Sequence, residues 1–108
     1  FIINNYAADG KDVSWLWNTN IEKLNKVLQN IIKIYISGTK GDEMEARLKQ
    51  AGFEDLKINH VKDYKTLINL SLEEIPQGGT FYILPTYTAM LDIRKILKNR
   101  FGLKEFWE

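Results

Sequence analysis

Ile31-Ile32-Lys33-Ile34-Tyr35-Ile36-Ser37-Gly38-Thr39-Lys40-Gly41-Asp42 is the stretch that decides the fold. Residues 31–37 are mostly β-branched or aromatic and nearly alternate, which suits a half-buried strand. Gly38-Thr39-Lys40-Gly41 reads as a loop. Asp42 then opens a helix with Met44, Leu48 and Ala51 inward and Gly52 placed as its C-terminal stop. A strand, a short turn and a helix make the first half of a βαβ unit.

Working outward toward the start, Phe1-Ile2-Ile3 reads as a buried strand followed by a polar loop. Thr19-Asn20-Ile21-Glu22 has the capping-box pattern, and Ile21, Leu24, Leu28 and Ile31 fall on one helical face. Toward the end, residues 56–59 read as a short strand. Asp63 caps a third helix with Tyr64, Leu67, Ile68, Leu72 and Ile75 on one stripe, and Pro76-Gln77-Gly78-Gly79 stops it. Residues 80–84 read as another strand, stopped by Pro85. Thr86 or Thr88 starts a last helix carrying Met90, Ile93, Ile96 and Leu97, which Gly102 closes. The aromatic tail, residues 104–108, reads as an edge strand. Strands alternating with helices predict an α/β domain with a mainly parallel sheet and helices on both faces, a three-layer Rossmann-like arrangement. Its functional edge is the carboxyl end of the strands: residues 4–18, 38–42 and 85–88.

The totals narrow the function. A chain of 108 residues predicts a single domain. Fifteen basic and fourteen acidic residues leave a net charge of +1, with no electrostatic footprint for nucleic acid or anionic membrane. Lys23, Lys26 and Lys33 read as a solvated helix face. Without cysteine there is no disulfide, thiol nucleophile or thiolate metal site in these residues. No apolar run approaches the ~20 residues of a membrane span. A strand-like run at residue 1 with no Met predicts a fragment of a longer protein, with an upstream domain carrying part of the function.

Chemistry concentrates in Asp9-Gly10-Lys11-Asp12-Val13-Ser14-Trp15-Leu16-Trp17. Two carboxylates three residues apart can bind a metal, act as acid and base, or orient a histidine. A metal site needs further ligands, and this loop has no neighbouring His or Glu, so no metal is expected. Glycosidase chemistry needs a sugar cleft larger than such a domain supplies. The sole histidine, His60, reads as a solvated loop residue. A histidine oriented by this loop therefore belongs on another chain. Trp15 and Trp17 alternate as in an extended segment, which predicts one in the core and one free to anchor a partner. Two further loops offer ligand candidates. Thr39 sits in a glycine-flanked turn that can hold an anion through free amides, although it lacks the phosphate-loop and dinucleotide signatures. Thr86 and Tyr87 stand at a strand end, where Thr86 also reads as a helix cap.

The same residues carry a family resemblance. The stretch from Asp9 to Trp17 resembles the Asp-Gly-Arg-Asp-x-Ser-Trp-x-Trp signature of the MurT family. Ser37-Gly38-Thr39, Asp42-x-Met44, Arg47-Leu48-Lys49 and Ala51-Gly52 resemble its second block. Leu84-Pro85-Thr86-Tyr87-Thr88-Ala89-Met90-Leu91 with Arg94-Lys95-Ile96-Leu97 resembles its third. The blocks follow in order over nearly the whole chain, and the likeness is to the C-terminal domain of the Mur-ligase-like subunit. Lys11 departs from the pattern, standing where the family has Arg, which weakens any bidentate contact there.

The resemblance implies a Mur ligase C-terminal type of fold and a subunit that pairs with a GatD-type glutamine amidotransferase. Together they form lipid II isoglutaminyl synthase, in the cytoplasm of Gram-positive bacteria at the inner face of the membrane. Glutamine is hydrolysed on the partner. ATP, with Mg²⁺, activates the α-carboxyl of D-glutamate in the lipid II stem peptide, and ammonia converts it to the amide. The nucleotide belongs to the full subunit, so no cofactor is expected in this domain, and the isolated domain is expected to be inactive. The resemblance also implies that an aspartate of this domain completes the partner's Cys-His dyad. Asp12 is the assignment, with Asp9 as fallback, and Trp15 and Trp17 are the expected partner contacts. The alternative is a non-catalytic docking module whose acids only cap or hydrogen-bond locally.

Overall fold

The computed structural model describes residues 1–27 and 31–102. The expected tail strand and Leu28 of the first helical stripe lie outside the described residues. Strand β1 (Ile34–Ile36) pairs in parallel with β2 (Ile58–His60), with Ile34 opposite Ile58 and Ile36 opposite His60. Ile2 forms parallel bridges to Ser37 on one side and Pro85 on the other. The amide of Ile3 donates to Ser37 O at 3.0 Å, and that of Ile2 to Leu84 O at 3.1 Å. Residues 84–86, residues 1–3, β1 and β2 therefore lie side by side in that order.

This small parallel sheet corrects two expectations. Residues 80–84 do not form a ladder, and only the bridge at Pro85 is made. The three-residue segment beside it presents only Ile2 on that side: Ile2 bonds Leu84 O and the Thr86 amide, while the Phe1 carbonyl and the Ile3 amide bond Ser37. The strand expected at residues 56–59 starts later: Asp55–Lys57 is a 3₁₀ turn that leaves Leu56 94% exposed, and pairing begins at Ile58.

The helices are α1 (Trp15–Asn18), α2 (Ile21–Val27), α3 (Gly41–Gln50), α4 (Tyr64–Glu74) and α5 (Tyr87–Phe101). None among the described residues is long and apolar enough to cross a membrane. Asp63 caps α4 as expected, accepting from the Thr66 amide at 2.9 Å. The cap of α2 differs from the capping box. Asn20 accepts from the Lys23 amide at 3.0 Å, while Thr19 donates back to Trp15 O. Glu22 is drawn away to Arg47.

Side chains alternate across the extended segments, so neighbours serve different cores. Ile3, Ile34 and Ile36 pack with Leu16, Ile21, Met44 and Leu48, from the first three helices. Ile2 packs with Leu67, Ile68, Ala89 and Ile93 of α4 and α5, and Tyr35 leans on that cluster. Gly38 makes the close approach of the first two segments possible. Its φ is +98°, and a Cβ there would lie 2.3 Å from the Ile3 carbonyl oxygen.

Candidate functional site

Asn4 organises the carboxyl edge of the sheet. It is 2% exposed, directly after the apolar run, so its amide must find partners. Its Oδ1 accepts from the Thr39 amide at 2.9 Å, and its Nδ2 donates to Thr88 Oγ1 at 3.0 Å and to the Tyr64 hydroxyl at 3.3 Å. Its backbone amide donates to Thr86 Oγ1 at 3.0 Å. One side chain thus links three loops that sequence spacing alone could not join. A polar residue closing an apolar strand was the available signal.

The two aspartates have different surroundings. Asp9 ends a 3₁₀ turn (Ala7–Asp9) and reaches the start of α5. Its Oδ1 accepts from the Thr88 amide at 2.7 Å and its Oδ2 from the Thr88 hydroxyl at 2.6 Å. The Tyr6 amide adds a bond to Oδ2 at 3.2 Å. Asp9 is the side-chain cap of α5, supplied from another loop, whereas Thr86 stands at the cap position with its hydroxyl on Asn4. Partial desolvation pushes the Asp9 carboxyl up, but the bonds from Thr88 and Tyr6 outweigh it and leave it below its ordinary range.

Asp12 is exposed. Its Oδ1 accepts from the Ser14 amide and its Oδ2 from the Ser14 hydroxyl, both at 2.9 Å. These bonds, the amide first, hold its carboxyl below the ordinary carboxylate range, so it is ionised at neutral pH. A carboxylate accepts about four hydrogen bonds. Ser14 supplies one to each oxygen, which leaves acceptor capacity on an outward face.

The tryptophans are not arranged as expected. Asp12 and Ser14 start a helical turn, so residues 15–17 advance by about 100° each instead of alternating. Leu16 is buried at 1% exposure, and Trp15 and Trp17 flank it at 43% and 44%. Neither is core, and both sit on the rim beside Asp12.

Arg47 was not singled out from the sequence as a site residue, although it falls within the apolar stripe of Met44, Leu48 and Ala51. Its side chain is 3% exposed and reaches across to α1 and α2. Nε donates to Leu16 O at 2.7 Å and NH2 to Thr19 O at 2.7 Å, and the guanidinium clasps both oxygens of Glu22 at 2.8 and 3.0 Å. NH1 also donates to Gln50 Oε1 at 3.1 Å. The hydrogen bond to Arg47 pulls the Glu22 carboxyl down to about 2.

Thr39 has a structural task. Thr39 Oγ1 accepts from the Asn5 amide at 3.0 Å and donates to Asn5 Oδ1 at 2.9 Å. The amides of Thr39, Lys40 and Gly41 donate to Asn4 Oδ1, Ile3 O and Gly38 O. Three amides of the turn are therefore bonded within the fold. Tyr87 is 54% exposed. His60 ends β2 rather than lying in a loop, with Nδ1 3.2 Å from Asp42 Oδ1. Asp42, Glu45 and His60 bring ligand atoms within 4.8 Å of one another. Asp42 is 92% exposed and stands in the first turn of α3, where the helix dipole opposes a cation.

Residues 1–90 match the MurT ligase C-terminal family. The subunit MurT of lipid II isoglutaminyl synthase (glutamine-hydrolyzing) from Streptococcus pneumoniae is 32% identical over 99 residues, which is 92% of this chain. The proteins of the same name from Staphylococcus aureus strains COL and N315 are also 32% identical over 99 residues. The chain spans 21% of the length of each of these relatives. With the family matched over most of its length and the signature loop formed at the sheet edge, this chain belongs to the MurT ligase C-terminal family.

Proposed function

We propose that this chain is the C-terminal domain of the Mur-like subunit of a glutamine-hydrolysing lipid II isoglutaminyl synthase, and that Asp12 completes the Cys-His dyad of its GatD-type partner. The observation that carries this reading is the division of labour between the two acids. Asp9 is committed to Thr88 inside the domain, while Asp12 is ionised, exposed and oriented by Ser14. On the partner's histidine, Asp12 would fix the tautomer and stabilise the imidazolium as the histidine activates the cysteine. Trp15 and Trp17 supply the apolar contact beside it, as aromatic anchors do at interfaces.

The remaining chemistry is assigned to the rest of the subunit. There ATP and Mg²⁺ activate the D-glutamate α-carboxyl of lipid II, and ammonia from the partner becomes the amide nitrogen. In the full subunit the sheet and its two flanking clusters form the three-layer Rossmann-like domain of Mur ligases, acting in the cytoplasm at the membrane's inner face. The test is glutamine hydrolysis by the assembled complex carrying Asp12→Asn. Loss of hydrolysis with assembly intact is the expected result. Wild-type hydrolysis reduces the domain to a docking module, whose signature is a complex that Trp15→Ala or Trp17→Ala breaks.

A further inference from the structure

We infer that Arg47 is a positioning residue for glutamine hydrolysis, holding Asp12 in place by fastening α1 from within its single turn and just past its end; this rests on the assignment of Asp12 above. Arg47 binds Leu16 O within α1 and Thr19 O just past its end, each at 2.7 Å. Helix α1 is a single turn of four residues, too short to hold its own shape. Its start is Ser14, whose amide and hydroxyl are the two groups that orient Asp12. Movement of α1 therefore passes directly to the carboxylate. Val13 and Leu16 pin the segment to the core by apolar contact. The directional bonds come from the guanidinium.

The chemistry of the clamp requires arginine. A guanidinium presents five N–H donors in one plane, and here Nε, NH1 and NH2 together meet two carbonyls, both Glu22 oxygens and Gln50. Lysine offers three donors from one atom and cannot reach the carbonyls of residues 16 and 19 while pairing with Glu22. Glu22 is the counter-clasp: its two oxygens lock the plane of the guanidinium, so the carbonyl bonds keep one direction.

The test uses the full two-subunit complex with Arg47→Lys, Glu22→Gln and Asp12→Asn. Glutamine hydrolysis is measured beside amidation driven by added ammonium chloride, which does not use the glutaminase. Arg47→Lys is expected to lower glutamine hydrolysis by about 100-fold, the scale of a 1 Å misplacement, while ammonium-driven amidation holds. The histidine-controlled limb of its pH profile moves to lower pH, as with Asp12→Asn, because a displaced carboxylate no longer favours imidazolium. Glu22→Gln, which keeps volume and one acceptor, gives the same split with a smaller loss and serves if Arg47→Lys fails to assemble. Equal loss of both activities means a merely structural residue and overturns the proposal, as does undiminished hydrolysis. Asp12→Asn inactive with both clamp variants active overturns the positioning role alone. Asp12→Asn active overturns the reading beneath it.

Discussion

Asp9 and Asp12 are three residues apart on one loop, yet they do opposite jobs. Asp9 turns inward and joins residues 79 positions apart through its bonds to Thr88. Asp12 turns outward and, among the described residues, bonds its near neighbour Ser14 alone. Both carboxyls lie below their ordinary range, so charge state does not separate them. Their partners do. An acid satisfied by a distant backbone amide is part of the fold, whereas one steadied by the next turn of chain retains acceptor capacity for another molecule.

The largest effect that would break this contrast is in activity. Asp12→Asn in the complex should cut glutamine hydrolysis about 10⁴-fold, the scale seen when a triad acid loses its charge, with an unchanged unfolding midpoint. Asp9→Asn should do the reverse, lowering the midpoint more than the rate. Equal kinetic losses at both positions would erase the distinction. The frame beneath both acids is probed by Gly38→Ala. A Cβ 2.3 Å from the Ile3 carbonyl at φ +98° should cost at least about 3 kcal/mol in denaturant unfolding. A loss under 1 kcal/mol would mean the turn relaxes freely. Thr88→Val removes the hydroxyl side of the Asp9 cap and an acceptor of the buried Asn4 amide, and should cost about 2 kcal/mol, leaving Asp12 chemistry intact.

The smallest effect is with acid. The Glu22 carboxyl is depressed from 4.5 to about 2 by Arg47. A depressed folded value stabilises the protein above the unfolded value and is lost as pH falls toward the folded one. The α1–α2 clamp should therefore hold at neutral pH and weaken between about pH 4.5 and 2. Acid titration of unfolding with Glu22→Gln, in which that slope flattens, checks it.

How much of this was legible follows from the range of the signals. Helices α3, α4 and α5 and strand β1 were readable because periodicity, Asp63 and Gly102 are local cues. The Thr19–Glu22 box failed because a buried guanidinium from 25 positions away competes for Glu22 and wins. The tryptophans depart from the alternation of their spacing because an aspartate-serine turn starts α1 and makes that spacing helical. The loop bearing Asp9 and Asp12 was identified from its residue types. Which acid faces outward was not, since Thr88 lies far along the chain and only folding brings it to Asp9.

The two half-exposed indoles flanking Leu16 also make the domain its own optical probe. Two of the three tryptophans in the chain stand beside Asp12, so intrinsic fluorescence is weighted toward the surface assigned to the partner. Association through that surface would dehydrate both rings and shift emission to shorter wavelength. Docking elsewhere on the domain would leave these two rings hydrated, so a shift to shorter wavelength that Trp15→Phe and Trp17→Phe abolish reports contact through this surface.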